Sequence, residues 1–212
     1  MSGTASTLIL VPTALERSVL EEEGGLPTAP ALCGFGPISA AARTAQLLHE
    51  QRPARVLLLG VAGSLARERA EPGQALDFAW VRLDGVGAGS GPDFLPPSRL
   101  GFPQWQGANE RIEETLALRA HGTAELLTVC SASATPAEAG ARRARYPAAV
   151  AEDMEGFGVA LACRLAGVAL TIVRGISNVA GERDRRRWNV RAALRTARQR
   201  ALECLEQAGR EA

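Results

Sequence analysis

The chain has 212 residues, 46% hydrophobic and 22% charged, values of a soluble globular protein with room for one large core rather than two. Twenty-four basic residues against 23 acidic ones leave a net charge of +1, which argues against a general nucleic-acid or membrane-surface binder, since either needs a cationic face. No apolar run reaches the length of a membrane span, and MSGTASTLILVPTALERS has no basic region ahead of its short apolar run, so the expected location is the cytoplasm.

In chain order, Thr7 to Val11 reads as a short strand ended by Pro12, followed by a helix from about Thr13 to Glu23 that Gly24-Gly25 breaks. After a turn-rich stretch, Ile38 to Gln51 is an alanine-rich helix stopped by Pro53. Arg55 to Gly60 is an unbroken apolar strand of the kind buried on both faces. Residues 74–83 form another strand, and the Gly- and Pro-rich residues 84–108 read as a long surface or active-site loop. Further strands are expected at Ala124 to Ser131 and Val168 to Arg174, with a helix from about Met154 to Ala166 between them. An amphipathic helix over about Asn189 to Gln207 completes the pattern. Strands alternating with helices indicate an α/β fold, a mixed β-sheet flanked by helices, and no linker or repeat divides residues 1–212.

Cys33, Cys130, Cys163 and Cys204 lie far apart without a Cys-x-x-Cys pair, so buried reduced thiols are expected and a metal or disulfide framework is not. His49 and His121 sit in polar helical or loop contexts that suit solvation or capping. Carboxylates, arginines and backbone groups are left to carry any chemistry, and no cofactor is implied.

Ligands of α/β sheets bind at the carboxyl ends of strands. Those ends offer Pro12-Thr13-Ala14-Leu15-Glu16, the glycine turn Gly60-Val61-Ala62-Gly63-Ser64, Cys130-Ser131-Ala132-Ser133, and Arg174-Gly175-Ile176-Ser177-Asn178. Asp153-Met154-Glu155-Gly156, with Val173-Arg174-Gly175-Ile176-Ser177-Asn178-Val179 about twenty residues on, resembles the signature of the purine nucleoside phosphorylase/nucleosidase superfamily. Glu16 and the Gly60–Ser64 turn resemble further elements of its hydrolytic branch, which includes methylthioadenosine/S-adenosylhomocysteine nucleosidase. The run Ser177 to Asp184, with Trp188-Asn189 beyond it, is more similar to the branch members that cleave futalosine, a hypoxanthine nucleoside of menaquinone biosynthesis. The resemblance covers most of the chain and implies a small-molecule nucleoside substrate and a homo-oligomer, a dimer or tetramer.

Cleaving a ribosyl N-glycosidic bond needs a poised water, acceptors for the ribose hydroxyls and a donor to the departing base. The resemblance assigns Glu16 as general base, with a helix-start acid as the alternative. It has Glu155 accept from the 2′ and 3′ hydroxyls while Met154 packs under the sugar, where the plain alternative is a pair of acids in a first helical turn. Val61, Ala62 and Gly63 would lie against the ribose and Ser131 would line the pocket; the methylthioadenosine branch has a serine where Val61 stands, so no side-chain bond is expected from it. Arg174 either helps hold water and Glu16 or partners a buried acid. Asn178 would donate to the N7 and O6 acceptors of a 6-oxopurine, the alternative being a turn asparagine. Among Arg183, Arg185, Arg186 and Arg187, or at Arg99, one guanidinium could meet a carboxylated aromatic group, with Trp188 and Phe94 stacking on its ring; otherwise the run is solvated surface. An acid at Glu16 repels phosphate, which favours hydrolysis over phosphorolysis. Three readings compete: an adenine nucleosidase, a nucleoside-binding protein without catalysis, and a dinucleotide-binding module, the last weakened by the lack of three-glycine spacing at Gly60–Gly63.

Overall fold

The computed structural model describes residues 6–108, 110–118, 122 and 124–210; His121 lies outside them. Its strands are β1 (Thr7–Val11), β2 (Ala31–Leu32), β3 (Arg55–Ser64), β4 (Ala75–Asp84), β5 (Trp105–Gln106), β6 (Arg111–Ile112), β7 (Thr115–Ala117), β8 (Ala124–Val129), β9 (Ala149–Asp153) and β10 (Ala169–Val179). Its helices are α1 (Ala14–Glu23), α2 (Pro37–Gln51), the single turn α3 (Pro97–Leu100), α4 (Pro136–Arg145), α5 (Gly156–Leu165) and α6 (Val190–Arg210).

The main sheet runs β10-β4-β8-β9-β3-β1-β2. Because β10 also pairs with β3, strands β3, β9, β8, β4 and β10 join into a closed ring, from which β1 and β2 extend. The sheet is mixed. β1–β3, β3–β10, β4–β8 and β8–β9 are parallel, whereas β3–β9 and β4–β10 are antiparallel.

Period-two alternation explains how an all-apolar strand serves two cores. Leu8 and Leu10 of β1, with Val56 and Leu58 of β3, enter the core that contains Ala40 and Leu47 of α2 and Phe157 and Val159 of α5. Ile9, Val11, Leu57 and Leu59 point the other way, toward Leu20 of α1 and Leu194, Ala197 and Ala201 of α6. Each such leucine, removed from water, contributes roughly 2 kcal/mol of burial free energy. Gly175 lets α6 lie against β10: a β-carbon there would meet the Ala193 carbonyl oxygen at 1.9 Å.

Several elements depart from the sequence reading. β3 continues through Ser64 and β10 through Val179, so the Gly60–Ser64 segment and Ser177-Asn178 are strand rather than turn. Asp153 ends strand β9, and α5 starts only at Gly156, so the DME triplet is not the first turn of a helix. The 84–108 loop contains a 3-10 turn at Gly91–Asp93, α3 and β5. β9 and α4 have no counterpart in the sequence reading. Cys130 is exposed, unlike the other three cysteines. Among the described residues, no helix is long and apolar enough to cross a membrane.

Candidate active site

The parallel strands β1, β3 and β10 finish on one side of the sheet, and the antiparallel β9 brings residues 152–155 across the same end. A cleft of about 750 Å³ opens there, lined by Glu16, Val61, Ala62, Gly63, Ser131, Met154, Glu155 and Asn178 among others. Eight of the nine residues expected around the water, the ribose and the base therefore share one cavity. The ninth, Arg174, is not part of the lining and is wholly excluded from solvent behind it.

Glu16 is held by its own helix start. Thr13 caps α1 in a reciprocal box: its hydroxyl and backbone N–H donate to Glu16 Oε2 at 2.6 and 3.1 Å, while the Glu16 N–H donates back to the Thr13 hydroxyl. Across the cleft floor, the Val61 N–H donates to Glu16 Oε1 at 3.1 Å. The β3 segment thus acts on Glu16 through its backbone, and the side chain at Val61 is not needed for that bond. Three donors fix a carboxylate that offers about four lone-pair positions, which leaves capacity for a further donor from the cleft. Helix-start acid and cleft-facing carboxylate are the same residue here.

Glu155 follows β9 at the N-cap position of α5 but makes no side-chain capping bond there. Its carboxylate accepts instead from the Gly36 N–H at 3.1 Å and, at 3.4 Å, from Arg174 Nη2. Burial pushes its carboxyl up to about 7, opposed by the Arg174 charge and reinforced by Asp153 and more distantly by Glu16. Asp153 does the structural work of the triplet: it accepts from the Thr128 hydroxyl at 2.7 Å, from the Gly156 N–H at 2.9 Å and from Arg174. Arg174 also donates to the Leu59 carbonyl at 3.2 Å. Of the two readings of Arg174, partnership with a buried acid is visible in the geometry, and no hydrogen bond joins it to Glu16. Gly60 makes room for both groups, since a β-carbon there would meet Arg174 Nη1 at 2.1 Å and Glu16 Oε1 at 2.8 Å.

Asn178 follows a register shift in the β10–β3 pairing between Ile176 and Asn178, a bulge of the kind that re-aims side chains beside active sites. The Ser177 hydroxyl donates to its Oδ1 at 2.7 Å, and its Nδ2 donates to the Val179 carbonyl at 2.8 Å. One amide hydrogen remains for a ligand, not two. Ser131 lines the cleft while its carbonyl accepts from Arg142 Nη2 at 2.5 Å.

Sequence reasoning missed Phe35, Glu152 and the identity of Asp153 as the acid that Arg174 partners. Glu152 is held by Ser133 and Arg142 beneath the 131–134 loop, and the short run Ala149-Val150-Ala151 ahead of two acids gave no signal for β9. Phe35 lines the cleft at 65% exposure, where a lone aromatic in a turn-rich stretch carries no pattern. Phe94 and Arg99 are not among the lining residues, and Phe94 lies under the Arg145 guanidinium at 5.1 Å. Among the described residues no group of three or more His, Cys, Asp or Glu could hold a metal ion.

Residues 18–209 match the family model of the phosphorylase superfamily. Futalosine hydrolase of Acidothermus cellulolyticus is 40% identical over 147 residues, covering 66% of this chain and 59% of that protein. The aligned stretch thus spans less than two thirds of that relative's length. Futalosine hydrolase of Thermus thermophilus is 31% identical over 205 residues, 88% of this chain and 89% of its own. The solved structure of a methylthioadenosine/S-adenosylhomocysteine nucleosidase from Colwellia psychrerythraea, in complex with adenine, superposes with a TM-score of 0.77 over 96% of both chains at 18% identity, a likeness of fold alone.

Proposed function

This chain belongs to the phosphorylase superfamily, and from that premise we propose that it hydrolyses the N-glycosidic bond of futalosine to release hypoxanthine and dehypoxanthinyl futalosine. The observation that carries the reading is the pair of buried carboxylates, Glu16 and Glu155, facing one cleft in which, among the described residues, no cation but Arg174 pairs with either of them. Arg174, the cation next to Glu155, already donates to Asp153, Glu155 and the Leu59 carbonyl. A phosphorylase must neutralise a phosphate dianion at that position. Two carboxylates there repel phosphate and suit water. The futalosine hydrolases at 31–40% identity support the substrate.

In the mechanism, the ribosyl C1′–N9 bond lengthens first and positive charge grows on the sugar. Glu155 accepts from the 2′ and 3′ hydroxyls, bonds that tighten as that charge develops. Glu16 accepts a proton from water as its oxygen bonds to C1′. The bond electrons leave with the base, which takes up a proton from solvent water to depart as neutral hypoxanthine. Arg174 positions Glu155 from behind, and Val61, Ala62, Gly63, Met154 and Ser131 shape the sugar and base pockets. Asn178 donates its remaining N–H to the base. With one hydrogen left, the discrimination rests on position 6: hypoxanthine offers the O6 acceptor there, whereas adenine carries a 6-amino donor, so an amide N–H directed at that position favours the 6-oxopurine.

On the same reading, residues 1–212 form one nucleosidase domain that works in the cytoplasm without cofactor or metal, apart from nucleic acid and membranes. Exposed Leu15, Phe35 and Ile38, at 65%, 65% and 85%, support a homo-oligomer, dimer or tetramer, that covers them. The test is to offer futalosine, methylthioadenosine and inosine separately and to identify the released base by chromatography. Hypoxanthine from futalosine is expected; adenine from methylthioadenosine as the dominant product would overturn the assignment.

A further inference from the structure

The cleft is acidic within and cationic only at its mouth. Glu16, Glu152, Asp153, Glu155 and Glu182 all line it, whereas among the described residues the basic side chains in its wall are Arg183 and Arg185 alone. The arginine run that contains them divides in the structure. Arg186 is spent on Asp184, with Nη2 at 2.8 Å, and Arg187 on Glu182 at 3.0 Å. Among the described residues, Arg183 and Arg185 pair with no carboxylate. Arg183 lies over the Trp188 ring at 5.6 Å, and that ring also lines the cleft, anchored by its indole N–H donating to the Glu182 carbonyl at 2.9 Å.

A guanidinium over an indole, with no carboxylate partner among the described residues, keeps its N–H donors available, and the indole offers an aromatic face beside it. We propose that Arg183 and Trp188 form a subsite for an aryl carboxylate on the part of the nucleoside remote from the base, Arg183 pairing with the carboxylate and Trp188 packing on the ring. The subsite rests on the futalosine reading, because futalosine carries such a carboxylated aromatic arm. It adds a physical reason for selectivity: the carboxylates deeper in the cleft repel an anion, so a negatively charged arm is steered to the mouth and the neutral nucleoside to the floor. Arg185 supplies a second positive charge to the same rim.

The experiment compares futalosine, its neutral carboxamide analogue and inosine with the full chain and with Arg183→Gln. Loss of one charge-assisted hydrogen bond predicts a roughly tenfold to hundredfold rise in KM for futalosine, with kcat retained. The unsubstituted protein is expected to lose the same factor on the carboxamide, and Arg183→Gln to lose nothing further on it. Arg186→Gln, whose guanidinium is held by Asp184, should leave every KM unchanged. An unchanged KM for futalosine in Arg183→Gln, or equal losses on futalosine and the carboxamide, would overturn the subsite while leaving the substrate in place. Failure of the unsubstituted protein to release hypoxanthine from futalosine would overturn the substrate assignment, and the subsite with it.

Discussion

Arg174 donates to Asp153 through both Nε and Nη2, at 3.1 and 2.6 Å, with both side chains fully shielded from water. Breaking a buried pair strands one charge, a loss of about 3–5 kcal/mol. Asp153→Asn is therefore expected to lower the urea midpoint far more than Glu155→Gln does, even though Glu155 is the residue that faces the cleft. Comparable midpoints for the two variants would show that the pair does not organise the site.

Glu16→Gln separates chemistry from folding. A glutamine also serves at the third position of a capping box, so α1 should persist and the thermal midpoint should shift little. Turnover of futalosine should fall by about a hundredfold or more, the scale of a lost acid/base group, while KM changes little. Near-normal kcat would remove Glu16 from the reaction.

Glu155 sets a pH dependence through its carboxyl raised to about 7. Only the ionised form accepts two ribose hydroxyls, so kcat/KM should decline as pH falls through that value. Stability runs the opposite way. The folded protein holds this proton more tightly than the unfolded chain, whose ordinary value is 4.5, so the protonated group favours folding and that stability is lost as pH rises from 4.5 toward 7. Thermal melts at pH 5.5 and 8 should show this slope, and Glu155→Gln, which cannot titrate, should lack that part of it. Parallel slopes in both proteins would mean that the carboxyl is not raised.

Asn178→Asp replaces the amide donor with a carboxylate acceptor between Ser177 and the cleft. Hypoxanthine release should drop strongly, because a site built to bond a polar group discriminates hard once that pairing is lost. The ratio of hypoxanthine to adenine released from a mixture of inosine and adenosine should fall with it. A constant ratio would detach Asn178 from base recognition.

Gly60→Ala places a methyl where Arg174 Nη1 and Glu16 Oε1 already lie. Neither group can yield easily, since one is bound to Asp153 and the other to Thr13 and Val61. Both stability and turnover should suffer together, measurable by thermal melting and a futalosine assay, whereas Gly73→Ala, whose β-carbon would meet nothing within 4 Å, should cost stability only through its positive φ.

Much of this architecture was readable because it rests on repeated signals. β1 and the first half of β3 are continuous apolar runs, and the break after α1 is marked by Gly24-Gly25. The strands stopped being legible where they become functional. Beyond Gly60 and Arg174 the side chains turn small or polar, since they border the cleft rather than a core, and β9 reads as a helix start because its acids are held by partners distant in sequence. The arginine run shows the same limit: its composition marks surface, and only the ion pairs of Arg186 and Arg187 distinguish spent cations from available ones.

The closed ring carries a kinetic consequence. Its final seam is β10, the last strand in chain order, which must find β3 on one side and β4 on the other across long sequence separations. Such pairings form late, because loop-closure entropy must be met before they stabilise anything. Arg174 and Asn178 both sit on that strand. A folding chain can therefore assemble β1, β3 and their helices while the cleft still lacks the wall that carries Asn178 and the cation behind Glu155. Until the seam closes, Asp153 and Glu155 share the β9 end without their counter-charge, so recovery of hydrolysis during refolding should lag the recovery of secondary structure.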